Sequence, residues 1–227
     1  SYSGLKAYQN ALADLNKVVM LQPGNYQAQA NLGLTLANLN RLDDAIKAVG
    51  KALKLKPDYA LGHKNMGYVY FEAGQINNAI KSLRKSLALN PKDASTHYNL
   101  ARAVAATAQF DAALKSYDTA LALRPGYVDA MWNKALLVLR NGDFKTGWPL
   151  YEQRWNNPSF TDRKPDIAAP YWTGQFDIKG KTILLFSEQG LGDCIQFARL
   201  AKNVSQLGAR VILAVPKRLV SFLSRIE

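Results

Sequence analysis

ALGHKNMGYVYFEAGQINNAIKSLRKSLALNPKD, residues 60–93, is the stretch that decides the fold. Apolar and small residues recur three and four apart in two runs that meet near Gly74, the period of two amphipathic helices joined by a tight turn. Pro91 closes the second run, because proline lacks an N–H and biases the residue before it away from helical angles. Laid over residues 26–59 and 94–127, the stretch aligns without a gap. Leu32-Gly33, Met66-Gly67 and Leu100-Ala101 coincide, and so do Ala45, Ala79 and Ala113. The large residues Val49, Leu83 and Tyr117, the small residues Ala52, Ser86 and Ala120, and the prolines Pro57, Pro91 and Pro125 fall into the same register. Small residues in phase mark places where paired helices cross closely.

The frame extends in both directions. Ala11, Leu15, Val18 and Pro23 fit the second helix of a preceding unit, so the chain is expected to begin inside a longer array. A fourth unit starts at Val128 and keeps Gly142, but Gly147 replaces the alanine and Pro149 comes soon after. Proline is tolerated in a first turn, which predicts a second helix that starts differently there. The resulting division is a half repeat over 1–25, repeats over 26–59, 60–93 and 94–127, a variant repeat over 128–155, a linker over 156–180 and an α/β unit over 181–227.

These anchors resemble the tetratricopeptide repeat over roughly residues 1–155. The resemblance implies a mainly α fold, a right-handed superhelix (α-solenoid) whose first helices line a concave groove. Asn31, Asn65, Asn99 and Asn133 stand 34 residues apart, one position before each Leu-Gly-type pair, on those first helices. Asparagine is a mediocre helix former, so four in phase are not explained by helix propensity. One reading is a polar residue tolerated on a solvated face. The other is a carboxamide that pairs, as donor and acceptor, with the backbone of an extended peptide. The row resembles the asparagine ladder of O-linked N-acetylglucosamine transferases, which implies a bound polypeptide. Lys64, Tyr68, Phe71, Tyr98, Arg102, Trp132, Leu136 and Arg140 are the expected neighbours, a mixture suited to acidic or aromatic peptide side chains.

Composition bounds the other classes. The 227 residues are 48% hydrophobic, enough for a sizeable core. No apolar run approaches the roughly 18 residues of a membrane span, and residue 1 onward shows no signal-peptide pattern. Cys194 is the only cysteine, so no intramolecular disulfide forms and a cytoplasmic location is expected. The net charge of +12 divides into +8 over 1–155, zero over 156–180 and +4 over 181–227, without a dense basic run. Nucleic-acid binding is therefore not favoured, whereas an acidic ligand or a solvated basic surface both fit. His63 and His97 share one repeat position and read as packing residues; no structural metal is predicted.

After Trp155 the period changes. Residues 156–180 contain Pro158, Pro165 and Pro170 and lack helical periodicity, and Thr182–Ser187 then forms an apolar run of strand length. Glu188-Gln189-Gly190-Leu191-Gly192-Asp193 comes next, then an amphipathic helix with Ile195, Ala198, Ala201, Val204 and Leu207 on one face. Gly208 ends that helix and Val211–Val215 reads as a second buried strand. Strand, glycine loop, helix, strand is a parallel Rossmann-like unit. Ile195 stands where a dinucleotide fingerprint needs its third glycine, which argues against nicotinamide. Gly174 lies one residue too far from Gly180-Lys181-Thr182 for a phosphate loop, and that motif precedes its strand.

Gly147-Trp148 to Arg154-Trp155, Pro170-Tyr171-Trp172-Thr173-Gly174, Gly180-Lys181-Thr182 and Glu188 to Asp193 together resemble bacterial tetratricopeptide glycosyltransferases of the heptosyltransferase and O-linked N-acetylglucosamine transferase groups, over roughly 145–220. The resemblance implies the start of a GT-B domain, a nucleotide-sugar donor for a longer parent and no cofactor in this piece. Asp193 then matches a general base, with Gly190 and Gly192 admitting a phosphate or oxyanion to backbone amides. Asp193 with Gln196 also fits a helix-capping box. Cys194 reads as a small packed residue. With only two strands of the α/β domain present, the piece is expected to be inactive alone. The alternative is a non-catalytic adaptor for protein–protein interaction, in which the α/β unit caps the array or mediates homo-oligomerisation.

Overall fold

The computed structural model describes residues 2–156, 166–188 and 190–224. Pro158, Pro165 and Gln189 lie outside the described residues. The chain divides into two compact units, Ser1–Arg154 and Trp155–Glu227.

The first unit is an α-solenoid of nine helices among the described residues: α1 (Tyr2–Leu21), α2 (Tyr26–Asn38), α3 (Leu42–Leu55), α4 (Ala60–Glu72), α5 (Ile76–Leu89), α6 (Ala94–Ala105), α7 (Phe110–Leu123), α8 (Val128–Arg140) and α9 (Phe144–Tyr151). First helices start at residues 26, 60, 94 and 128 and second helices at 42, 76, 110 and 144, so the sequence period survives unchanged as a structural period. Each turn within a pair is made by one left-handed residue, Asn40 (φ 59°), Gly74 (φ 72°), Ala108 (φ 58°) or Gly142 (φ 85°). That conformation folds the chain back so that the N–H of Arg41, Gln75 and Asp143 donates to the carbonyl of Leu36, Tyr70 and Val138, satisfying helix-end acceptors.

The anchors form the core. Ala45, Ala79 and Ala113 and the large residues Val49, Leu83 and Tyr117 are all within 2% of complete burial. A β-carbon added at Gly67 would lie 2.5 Å from Leu83 Cγ, so glycine is what lets α4 and α5 cross so closely. Where Tyr117 replaces leucine, Ala101 fits at the equivalent crossing and is fully buried. Ser86, buried in the same row, donates to the Ala60 carbonyl at 2.8 Å. His63 and His97 each place Nε2 on the carbonyl of a repeat-closing proline, Pro57 at 2.8 Å and Pro91 at 2.9 Å, which gives the shared position a structural task.

The fourth repeat departs from expectation. Its second helix starts in phase at Phe144, capped by Asp143 accepting from the Thr146 N–H at 3.0 Å, and Pro149 lies inside it. Proline there removes the hydrogen bond back to residue 145. The helix runs on through the proline to Tyr151, where a 3₁₀ stretch, Glu152–Asn156, takes over. The proline costs one bond inside this helix and does not reset its start.

In the second unit, β1 (Thr182–Phe186) and β2 (Arg210–Ala214) pair in parallel with Leu184 opposite Ile212. Between them lie α10 (Leu191–Ala198) and α11 (Leu200–Gln206), with α12 (Lys217–Leu223) after β2. The helix expected to be continuous breaks at Arg199. The apolar runs predict two buried strands, yet Leu184 is 39% and Ile212 45% exposed, because exposure alternates along β2 and over the first four residues of β1, leaving one side of each strand open. Ala198, Leu219 and Leu223 are the buried centre, with Leu191, Cys194 and Val215 against them. The stretch before β1 is also packed: Ile178 is 2% exposed, and the Gly180 N–H donates to the Gly208 carbonyl at 2.8 Å.

Candidate functional site

In the array, α2 touches α4, α4 touches α6 and α6 touches α8, in addition to the contacts within each pair. The first helices are therefore the row that crowds together, which is the inner side of a curved stack. Asn31, Asn65, Asn99 and Asn133 lie on these four helices at one phase.

Their environments differ. Asn31 is exposed and Asn99 partly buried. Asn65 is only 4% exposed. The carboxamides of these three have no hydrogen-bond partner among the described residues. Asn65 is the telling case, since burying an amide without a partner costs about 1–3 kcal/mol. No buried side-chain nitrogen or oxygen among the described residues is sealed off without a partner, so the Asn65 carboxamide keeps a small contact with solvent. Asn133 is engaged: Nδ2 donates to the Asp129 carbonyl at 2.8 Å and to the Tyr98 hydroxyl at 3.3 Å.

The neighbours form two layers. Tyr98 packs its ring 4.9 Å from that of Tyr127 and 6.2 Å from that of Tyr117, and burial raises the pKa of its hydroxyl above the usual phenol range. The Tyr68 hydroxyl is raised in the same way, by burial first and the Glu72 charge second. Trp132 stacks on Tyr151 at 4.9 Å. Arg102 lies over the Phe71 ring at 4.4 Å and approaches Glu72 at 3.5 Å. Lys64 donates to Asp93 at 3.0 Å and to Ser95 at 2.9 Å. Two of the three cations expected to attract an acidic peptide are thus paired with carboxylates of the array itself, and the third, Arg140, lies over the Phe110 ring at 5.4 Å. Sequence spacing alone does not reveal Asp93 and Glu72 as their partners; the clue available is Asp93 before Ser95 and Thr96, an N-cap pattern.

Burial pushes the Asp93 carboxyl up, but hydrogen bonds from Ser95, Thr96 and Lys64, with the Lys64 charge, outweigh it and hold the pKa at about 2. This carboxylate caps α6 and ties α4 to it.

In the second unit, Asp193 is exposed in the first turn of α10. The N-cap is Gly190, with no side-chain cap, so the Asp193–Gln196 capping box does not form. The Asp193 carboxylate turns back, lying 3.7 Å from where a β-carbon at Gly190 would be. Gly192 has open space around it. The described residues contain no cluster of three or more potential metal ligands, and no described helix is long and apolar enough to cross a membrane.

Residues 36–74 and 67–107 match the sequence profile of the TPR repeat, and 98–153 match that of the tetratricopeptide repeat. Residues 36–153 are tetratricopeptide repeats. The chain is 34% identical over 93 residues to Protein FlbA of Caulobacter vibrioides, a match over 39% of this chain. It spans only 15% of that relative's length. Among solved TPR structures, MamA from Desulfovibrio magneticus is 23% identical with TM-score 0.57, over 64% of this chain and 82% of that one. YrrB, described as a TPR protein with an unusual peptide-binding site, is 19% identical with TM-score 0.53, over 66% and 78%. A thermophilic TPR protein of Thermus thermophilus is 21% identical with TM-score 0.60, over 67% and 84%. These likenesses establish the TPR fold of the first unit and leave the second unit unmatched by the TPR profiles.

Proposed function

We infer that this chain is a polypeptide-binding adaptor whose TPR inner face takes an extended segment along the asparagine row. The observation that carries this reading is Asn65: a carboxamide only 4% exposed, without a protein partner, opening onto the inner face between helices that repeat its residue type. A peptide backbone supplies both the carbonyl and the N–H that such an amide lacks. Because Lys64 and Arg102 are paired, selectivity near them comes from Tyr68, Tyr98 and Trp132, which favour uncharged apolar or aromatic side chains. The peptide-binding site named for YrrB lends the reading support by analogy of fold only.

The test is calorimetric titration of extended peptides, drawn from a random-sequence library by panning, against wild type and Asn65→Ala/Asn99→Ala. We expect affinity to fall about tenfold to a hundredfold, the loss of two or three hydrogen bonds, with an unchanged circular dichroism spectrum. Unaltered affinity in the folded double variant refutes the ladder.

A second reading, the acceptor side of a longer glycosyltransferase that uses a nucleotide sugar, rests on exposed Asp193 in the first turn after a parallel strand. It requires donor hydrolysis by the longer protein that Asp193→Ala abolishes; activity surviving that substitution removes it.

A further inference from the structure

Between α5 and α6, in the second and third repeats, lies a cleft of about 330 Å³ lined by Asn77, Ile80, Lys81, Arg84, Val104 and Gln109. Four of these have the i, i+3, i+4, i+7 spacing and so share one face of α5. Ile80 and Val104, at 9% and 4% exposure, make an apolar floor. Lys81 and Arg84 stand exposed at the rim, and neither has an ion-pair partner among the described residues. Gln109 is held in place by donating to the Thr107 hydroxyl at 3.0 Å.

The repeats provide their own controls. One repeat earlier, the positions of Asn77, Lys81, Arg84 and Val104 are occupied by Asp43, Lys47, Gly50 and Tyr70. One repeat later, Asn77, Lys81, Arg84 and Gln109 become Asp111, Lys115, Asp118 and Asp143. Asn77 replaces an aspartate present at both neighbouring interfaces and Arg84 adds a second cation that neither has, whereas Gln109 is matched by Gln75 one repeat earlier and Val104, which leaves room where the preceding interface has tyrosine, by Val138 one repeat later. The α5 helix carries three cations and no acid along Ile76–Leu89. None of the lining residues is aromatic, so a nucleotide base has nothing to stack on.

We propose that this cleft is a second binding site, outside the asparagine row, for an acidic segment of a partner polypeptide: one apolar side chain seated on Ile80 and Val104, with flanking carboxylates on Lys81 and Arg84. The Arg84 guanidinium suits two-point pairing with a carboxylate, and the basic excess of the chain raises the encounter rate of such a segment.

The probe is a fluorescein-labelled hexapeptide Glu-Leu-Glu-Leu-Glu-Asp, monitored by anisotropy with the full 227-residue chain. Lys81→Gln/Arg84→Gln is expected to weaken binding at least tenfold, and Val104→Tyr, which restores the residue of the preceding interface, to weaken it several-fold by filling the floor. Lys47→Gln/Lys115→Gln removes equal charge elsewhere on the outer helices and is expected to leave affinity unchanged. Equal losses in both charge pairs would mean bulk electrostatics and overturn the proposal. So would a loss in Asn65→Ala/Asn99→Ala in place of the α5 pair, which would put the probe on the inner face. Displacement by inorganic phosphate, with no preference for the hexapeptide over an all-glutamate one, would show a simple anion site and overturn it as well.

Discussion

The residue at the left-handed turn separates the third repeat from the repeats on either side. Ala108 adopts φ 58° at a turn where Gly74 and Gly142 serve the equivalent positions. For an L-residue with a β-carbon that region costs about 1–2 kcal/mol, and glycine, which avoids the strain, offsets part of the gain through its more flexible unfolded state. Ala108→Gly is therefore expected to stabilise the array by about 0.5–1 kcal/mol, seen as a higher urea midpoint at constant slope; a lower midpoint contradicts the strain. Asp93 gives the second prediction at this scale. Its folded pKa, about 2 against an ordinary 3.8, means its stabilising effect is complete above pH 4 and is lost as pH falls between those two values. After allowance for partial exposure this amounts to about 1 kcal/mol. Asp93→Asn should lower stability at pH 7 by at least that much, since it removes a charged helix cap, and should flatten the acid side of the stability profile. An unchanged acid limb would show that other carboxylates set it.

Among the helices, α9 is the informative one. Its start obeys the repeat frame and its end does not: it stops at Tyr151 after 8 residues where α3, α5 and α7 run for 14, and Pro149 inside it cannot donate to residue 145. The 3₁₀ stretch uses that early stop: Arg154, 6% exposed, donates to the Tyr151 carbonyl at 3.3 Å and to Glu152 at 2.7 Å. Pro149→Ala should lengthen the helix by about a turn, raising the 222 nm circular dichroism. The stability gain should fall short of the roughly 3 kcal/mol that an interior proline costs, because Arg154 loses its seat. No rise in helicity would mean that packing beyond Tyr151, and not the proline, ends the helix. The interrupted helix in the second unit is less legible. One apolar stripe from Ile195 to Leu207 predicts continuity, whereas Ile195 and Leu207 are 41% and 55% exposed and the chain turns at Arg199.

For the whole molecule, the pairing of charges distinguishes the two binding faces. Peptide affinity at the asparagine row should depend only weakly on salt, since two of its three cations, Lys64 and Arg102, are already paired. Affinity at the α5 cleft should fall steeply with salt, since exposed charges there are screened within a Debye length of about 8–10 Å. The repeat array is readable from sequence because each anchor makes only near-neighbour contacts, so a 34-residue period in the residues becomes the same period in the helix starts. The asparagine row is equally readable, being fixed by that phase. The partners of its neighbours are not: Lys64 meets Asp93 29 residues away, and Arg102 meets Glu72 30 residues away, across an interface whose geometry no local pattern encodes. Sequence thus determined the repeat, its close crossings at Gly67 and Ala101, and the phase of the four asparagines. Tertiary structure decided which cations are neutralised, that Asn65 is nearly buried with its amide left to solvent, and that a cleft opens beside Val104, because these depend on distances between helices, and those are set only when the repeats pack.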